Sequence, residues 1–518
     1  MFLNVMKVLK IKFFSSKTFS NFYFKFGNLK KKQSSESSLR PRFRRHATKT
    51  DTQISHHEEK ERIGGKGRDS KMSVEIGRLK LVSVDELPRM LKHTENAVDA
   101  KTLAQSKQIV DDVRNRGIDG LIEHSVRLGD LKNKTQSIEV SKEEMRNAYH
   151  KLPKEQRGAL QRMADRIRSF AKAQRDSLRD LTTEIPGGKA GHVVSAVKTA
   201  GCYAPGGRYP LPSSVLMTAI TARVAGVKNV WVASPRPAIA TMAAAYLAGV
   251  DGMLRIGGAQ AIACFAYGVG PVPAADVIVG PGNRWVTAAK QLVSGRVGID
   301  MLAGPSECLV IADRTASPDV IAADLLAQAE HDTDARPILI ASGDGANRLV
   351  SDVNASLAKQ LKTLPTASTA REALARAGFA VITSNINQAI RVTDMIAPEH
   401  LEVMTKDSDE ISRQLSCYGG LFVGTQSAEV MGDYGAGPNH VLPTGGTGRY
   451  TGGLSVFTFL AIRTWMRLDQ SNEDGISEVV SDAVTVARME GLEGHARAAS
   501  FRLPPSKRRK IATPPSSL

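Results

Sequence analysis

Short apolar runs rich in β-branched residues, recurring at helix-length intervals from residue 213 onward, restrict this chain to few folds. They are "VWVAS" (230–234), "DVIVG" (276–280), "CLVIAD" (308–313), "PILIAS" (337–342), "FAVIT" (379–383) and "LFVG" (421–424), with amphipathic segments between them. This alternation is the pattern of parallel strands whose crossover helices cover both faces of a sheet. The strands exceed what one compact sheet holds comfortably, so two α/β layers of related build are expected. A break near 315–335 or the "GIDMLAGPSE" loop separates them; the division is set at 325/326, giving α/β segments 191–325 and 326–470.

Helical periodicity dominates what surrounds this body. Residues 73–190 read as a helical segment packing on the core, with Ser141 capping "SKEEMRNAYHKL"; residues 471–503 read as a second one, suited to packing against a partner chain. A chain of 518 residues with 42% hydrophobic and 24% charged residues is normal for a globular protein. Its net charge of +18 is uneven: residues 1–70 carry +11 and residues 502–518 carry +5, leaving +2 for the remainder. The basic balance therefore describes two tails and gives the body no nucleic-acid-binding surface.

The first tail, 1–72, has no acidic residue before Glu36 and is rich in Lys, Phe and Ser, as organellar transit segments are. Its expected destination is organellar, a plastid ahead of a mitochondrion; an extension with no address and a cytoplasmic protein is the alternative. No stretch reaches the roughly 18 apolar residues that span a bilayer, so no membrane partner is expected. The second tail, 504–518, is expected to be disordered. Cys202, Cys264, Cys308 and Cys417 lie far apart with no C-x-x-C spacing, which argues against a disulfide framework and for buried packing residues.

Glycine-rich turns stand beside the strands: "GCYAPGGRYPLPSS" (201–214), "RIGGAQA" (255–261), "VGPGNRW" (279–285), "AGPSE" (303–307) and "GDYGAGPNH" (432–440). Open α/β sheets bind ligands at the carboxyl ends of their strands, and these loops are expected there. The usual dinucleotide and P-loop glycine fingerprints are absent.

The polar residues concentrate in the same half. After His192 the only histidines are His331, His400, His440 and His495, each in a stretch dense with Gly, Pro, Glu or Asp. Gln328 and His331 of "DLLAQAEHD" are spaced i, i+3, which puts both on one helix face, as two ligands of one cation require. By spacing alone, a capped and hydrogen-bonded histidine is the commoner outcome. Asp433 and His495 are candidates to complete an O/N ligand set, and "APEH" supplies a second Glu-His pair, Glu399 and His400.

Taken in order, "GCYAPGGRYPLPSSVLMTAI", "RIGGAQAIA", "VIVGPGN", "GIDMLAGPSE", "DLLAQAEHD", "APEHLEV", "MGDYGAGPNHVLPT" and "EGLEGHA" closely resemble the zinc-dependent histidinol dehydrogenases of histidine biosynthesis, over about 75–503. The resemblance implies an α/β fold of two doubly wound, incomplete Rossmann-like domains with helical N-terminal and C-terminal segments. It also implies one Zn2+ per subunit on Gln328, His331, Asp433 and His495, and an acid/base pair on Glu399 and His400. Ser306 and Glu490 match substrate-contacting positions, together with Gln328, His331, His400, Asp433 and His495. Tyr203, Gln260 and Asn283 match positions that bind NAD+. The family is a homodimer in which the C-terminal histidine reaches the partner's site. Glu330 is left as a carboxylate outside the ligand set, and His440 as a loop-fixing hydrogen-bond partner.

The implied reaction oxidises L-histidinol through histidinal to L-histidine, in two hydride transfers to two NAD+. His400 would take the hydroxyl proton, and Glu399 would activate the water that hydrates the aldehyde. Three rivals remain. A zinc hydrolase needs a metal-bound water that four protein ligands leave little room for; a thiol-dependent aldehyde dehydrogenase needs an activated Cys202 or Cys308, and neither has an adjacent base. A non-catalytic paralogue would have no reason to keep the ligand and acid/base positions.

Overall fold

The computed structural model describes residues 77–92, 98–206, 209–469 and 471–511; the 1–72 tail lies outside the described residues. No described helix is long and apolar enough to cross a membrane.

Two six-stranded sheets form the body. In the first, the order is Glu139–Val140, Gly252–Leu254, Asn229–Ala233, Thr199–Tyr203, Val277–Val279, Gly298–Ile299. In the second it is Lys80–Val82, Phe379–Thr383, Arg336–Ser342, Glu307–Ala312, His400–Met404, Gly420–Val423. All pairings are parallel except that of the two-residue edge strand Glu139–Val140. Apart from the edge strands Glu139–Val140 and Lys80–Val82, contributed by earlier segments, the chain in both sheets starts in the middle, winds outward to one side, then returns to the other. That reversal is the doubly wound arrangement, executed twice.

Alternation along each strand sorts its side chains into two cores. Cys308, Val310 and Ala312 enter one cluster with the helix Pro318–Ala329, while Leu309 and Ile311 enter another on the opposite face. Val230 and Val232 separate from Trp231 and Ala233 in the same way. Burial on both faces explains why these strands read as unbroken apolar runs.

Three expectations need correction. The sheets divide between Ile299 and Glu307, because the strand Glu307–Ala312 opens the second sheet instead of closing the first; the 325/326 division falls inside its crossover helix. The 73–190 segment is not wholly helical: Lys80–Val82 pairs with Phe379–Val381 as an edge strand of the second sheet, and Leu181–Ile185 and Gly188–Ala196 pair antiparallel with each other. Residues 505–511 of the basic tail form a helix, tied down by Lys507, whose Nζ lies 3.2 Å from Glu473 and 3.3 Å from the Ser477 hydroxyl. Residues 512–518 lie outside the described residues. The Ser141 cap is present as a full capping box with Glu144.

A smaller sheet carries the C-terminal arm. Leu460–Leu468 pairs antiparallel with Gly188–Ala196, and the helices Glu473–Met489 and Glu493–Ser500 follow, with an apolar cluster of their own around Ile476, Val480, Val484 and Ala496.

A buried ion pair pins the loop after Val277–Val279. The Lys290 ammonium pairs with the Asp300 carboxylate and donates to the Gly280 carbonyl at 3.0 Å; Asp300 accepts from the Gly280 and Met301 N–H groups, each at 2.7 Å. Gly280 has φ +112°, and a Cβ there would stand 2.0 Å from the Tyr203 carbonyl oxygen, so only glycine permits this approach. Removing one partner leaves the other charge buried and unpaired. Lys290→Met is therefore expected to destabilise the chain by about 3–5 kcal/mol in equilibrium unfolding, whereas Lys172→Met at an exposed pair is expected to cost less than about 1 kcal/mol.

Candidate active and metal site

In a crossover unit the helix returns to the edge where its strand began. The helix Pro318–Ala329 thus delivers Gln328, fully buried, to the amino edge of the second sheet. The helix stops at Ala329, so His331 follows the last turn, its N–H donating to the Gln328 carbonyl at 3.3 Å. The two residues share the helix end, not a helix face. That end carries the negative pole of the helix dipole, which favours a cation. Glu330 accepts a hydrogen bond from the Thr366 hydroxyl, outside the cluster as expected.

The second delivery is by a forced turn. The helix Ile386–Ile396 ends on Ala397 at φ +49°, a left-handed conformation that costs a non-glycine residue about 1–3 kcal/mol. Pro398 then prevents the helix from continuing, Glu399 follows in a bend, and His400 begins the strand His400–Met404. A third element supplies Asp433, which lies in a single π-helical stretch, Gly432–Ala436, directly after the short helix Glu429–Met431.

His400 is the hub. Its Nδ1 lies 3.0 Å from the Glu307 carbonyl oxygen on the neighbouring strand, 3.6 Å from Glu429 Oε2 and 3.7 Å from Glu399 Oε2. Its Nε2 lies 3.8 Å from Asp433 Oδ1, which is also 3.8 Å from His440 Nδ1. His331 is near enough to lower the pKa of both His400 and His440. A carbonyl oxygen can only accept, so Nδ1 bears the proton and the neutral ring keeps its lone pair on Nε2. That atom is buried with no hydrogen-bond partner. Burial is the main cause that pushes His400 and His440 down to about 4 and Asp433 up to about 7. His331 is also lowered by the protein packed around it, although solvent reaches its ring. Glu399, whose Oε2 accepts the Glu307 N–H at 2.8 Å, is raised well above the usual carboxyl value by burial, with Glu307 and Asp433 adding to the shift.

Gln328 tests whether a cation suits this place. Both of its amide atoms are buried and unpartnered, a costly state for a side chain with no role, and its oxygen is a neutral metal ligand. An imidazole that solvent reaches and a carboxylate only 13% exposed stand beside the same His400 ring in His331 and Asp433. These residues fit a Zn2+ site. Among the described residues, however, no three His, Cys, Asp or Glu side chains close on one point. Glu490 and His495 are exposed on the C-terminal arm, and neither makes a hydrogen bond or ion pair to the His400 cluster within one chain.

The first sheet behaves as expected: its three glycine-rich loops leave the carboxyl ends of their strands. Tyr203 is buried, with its hydroxyl accepting from the Gly258 N–H at 3.2 Å, and burial raises it to about 12. Gln260 donates to Asp130 at 2.9 Å, which leaves its buried Oε1 unpartnered and open to a ligand donor. Asn283 is exposed and caps the helix Arg284–Val293. Ser306 directly precedes Glu307. The expectation of carboxyl-end binding fails for "AGPSE", which leads into the amino end of the second sheet. The two halves are stitched together by "GPNHVLPT" (437–444): Asn439 donates to the Met217 carbonyl at 2.9 Å, and Thr444 accepts the Gly304 N–H at 2.6 Å.

Sequence reasoning missed Glu307, Asp324, Glu402 and Glu429, and assigned His440 only a loop role. One signal was available: Glu402 is a charged residue in "HLEVM", a strand buried on both faces. Three thiols are inert, since Cys202, Cys264 and Cys308 are buried; burial raises Cys202 to about 12 and Cys308 well above its usual value, whereas Cys417 is only partly buried, against the expectation of a packing residue.

Glu402 provides a test of this electrostatic reading. Burial, then Asp324 beside it, raises its pKa from 4.5 to about 8, so the folded chain holds a proton that the unfolded chain releases. The resulting stabilisation is complete below pH 4.5 and disappears as pH climbs to about 8. His400 and His440 act oppositely, losing stability as pH falls from 6.5 towards about 4. Glu402→Gln is expected to flatten the alkaline decline of unfolding free energy by up to about 1.4 kcal/mol per pH unit between these limits, measured by urea titration at several pH values.

Comparison with known proteins places this arrangement. The sequence model of the histidinol dehydrogenase family matches residues 92–503. The chain is similar to a histidinol dehydrogenase of Thermus thermophilus, 45% identical over 367 residues, 70% of this chain and 86% of that protein. It is also similar to a sulfopropanediol 3-dehydrogenase of Ruegeria pomeroyi, 41% identical over 71% of this chain and 85% of that one. The crystal structure of a histidinol dehydrogenase from Elizabethkingia anophelis superposes with a TM-score of 0.75 at 31% identity, covering 82% of this chain and 98% of its own.

Proposed function

Because this chain belongs to the histidinol dehydrogenase family and is an oxidoreductase of histidine biosynthesis, we propose that it oxidises L-histidinol through histidinal to L-histidine with two NAD+, in a site holding one Zn2+ and completed by a second copy of the chain. The observation that carries the mechanism is the buried, unpartnered Nε2 of a His400 ring whose Nδ1 proton is held by the Glu307 carbonyl.

His400 is neutral at physiological pH and accepts the substrate's hydroxyl proton at Nε2, which makes the adjacent C–H hydrogen transferable as hydride. Glu399, raised by burial well above the usual carboxyl value and so a stronger base than a free carboxylate, takes a proton from the water that hydrates the aldehyde. Zinc, when bound, supplies a fixed cation that orients the lone pairs of the substrate's amine and imidazole, without redox change. Gln328, His331 and Asp433 would hold it, with His495 from a second copy as the fourth ligand. NAD+, when bound, is the hydride acceptor, and Tyr203, Gln260 and Asn283 mark where it would lie.

The C-terminal arm supports the two-copy reading. Met466, Met489, Val486 and Phe501 are each more than half exposed on it, an apolar surface of the kind that a second subunit covers. The basic first tail is consistent with organellar delivery, a plastid favoured.

The relative named for sulfopropanediol makes the alcohol substrate worth testing directly. L-Histidinol with NAD+ is expected to yield two NADH per molecule, lost on chelation and restored by zinc, with sulfopropanediol giving no turnover; the reverse preference would reassign the substrate. Glu399→Gln is expected to slow histidinal oxidation by about 10²-fold or more while slowing the first oxidation less. Equal slowing of both steps would remove Glu399 from the hydration step.

A further inference from the structure

Beneath the functional residues lies a second layer of acids that this mechanism does not use. Each stands one structural repeat from a functional residue, on the same element or, for Glu429, on the element directly before it. Asp324 is one helical turn before Gln328 on Pro318–Ala329; Glu402 is two residues past His400 and shares its face of the strand; Glu429 is four residues before Asp433.

All three are buried, with exposures of 7%, 1% and 1%. They also converge. The Asp324 and Glu402 carboxyl groups are within hydrogen-bonding reach of each other. Glu402 Oε1 accepts the Glu429 backbone N–H at 2.7 Å. The Glu429 carboxyl group approaches His400 Nδ1 at 3.6 Å and lies near Cys308, whose residue pairs with His400 across the sheet.

If all were ionised, Asp324 Oδ2, Glu402 Oε2 and Glu429 Oε2 would be buried acceptors with no donor. Two carboxyl groups at hydrogen-bonding distance need a proton between them. With that proton, the pair joins the helix bearing Gln328 to the strand bearing His400, and the Glu429 N–H extends the link to the segment bearing Asp433.

We propose that Asp324 and Glu402 are positioning residues: their shared-proton pair is a strut that sets Gln328, His400 and Asp433 at the separation the reaction and its metal require. The proposal rests on the histidinol dehydrogenase reading only for the activity assay. The strut needs a neutral hydrogen-bonding group at 402, not a negative charge, and that distinguishes it from electrostatic stabilisation of a cation. It also differs from core packing. Replacing a buried polar pair with apolar side chains is often neutral or stabilising for the fold, so a packing role would survive it and a positioning role would not.

The test uses the full chain and three variants: Glu402→Gln, Glu402→Leu and the double variant Asp324→Leu/Glu402→Leu. Each is assayed for kcat and KM with L-histidinol and NAD+, for zinc retention against a chelator, and for unfolding. Glu402→Gln keeps the hydrogen bond and is expected to hold kcat within about threefold of wild type. The double leucine variant is expected to fold, losing only the stability of the Glu429 N–H bond to Glu402, yet to lose kcat by about 10²-fold and release zinc faster, with KM for NAD+ unchanged.

A double leucine variant with wild-type kcat and zinc retention would overturn the proposal. So would a Glu402→Gln variant as impaired as Glu402→Leu, which would assign the role to negative charge. Should the wild type make no NADH, the functional reading fails, while zinc release from the same variants still decides on the strut: faster release from the leucine variants alone supports it, and equal release from all overturns it.

Discussion

The hydrogen bond between the His400 ring and the Glu307 carbonyl is the constraint on which the site depends. It exists because the strands Glu307–Ala312 and His400–Met404 are parallel neighbours, with Cys308 in register with His400. It fixes the tautomer and so the position of the one lone pair available as a base. The same two strands place the Glu307 N–H on Glu399, and the neighbouring strand Arg336–Ser342 puts the Arg336 guanidinium 2.8 Å from the Glu307 carboxylate, so the peptide that orients His400 is itself held from several sides. A misregistered sheet would lose the base, the acid and the buried ion pair together.

The amino edge is an unusual place for chemistry in such a sheet, and the layout explains it. The first sheet presents its nucleotide-type loops at the carboxyl ends, where helix N-termini offer N–H groups and positive potential suited to a phosphorylated ligand. The second sheet presents a helix C-terminus, with negative potential suited to a cation. Asn439, Thr444 and the 299–307 loop join the carboxyl edge of one to the amino edge of the other, and on the proposed function this junction is where an anionic cofactor and a metal-oriented substrate would meet. Two repeats of one topology thereby perform different electrostatic tasks.

Much of this was legible in the sequence. Unbroken apolar runs announced parallel strands because both faces of each sheet are covered, and the pairs Glu399-His400 and Gln328/His331 stood out as polar residues in apolar surroundings. The sheet boundary was not legible: a strand looks the same whichever sheet it opens, and only the long-range pairing with Arg336–Ser342 and His400–Met404 assigns Glu307–Ala312. Lys80–Val82 escaped notice because three residues at an edge carry too little pattern. The second layer of acids was hidden for a related reason, since Asp324 and Glu429 sit in segments whose polarity looks like ordinary surface until their partners are known. Glu490 and His495 are exposed and away from the cluster in one chain, and only the proposed second copy would bring them to it.

Zinc K-edge X-ray absorption on the zinc-loaded full chain tests the central claim most directly, because it reads the donor set without reference to turnover. The account predicts nitrogen and oxygen neighbours alone, at about 2.0–2.2 Å, supplied by an amide, a carboxylate and imidazoles. A sulfur shell at about 2.3 Å would contradict it, since the only thiol beside the cluster, Cys308, is assigned to Glu429 and to packing.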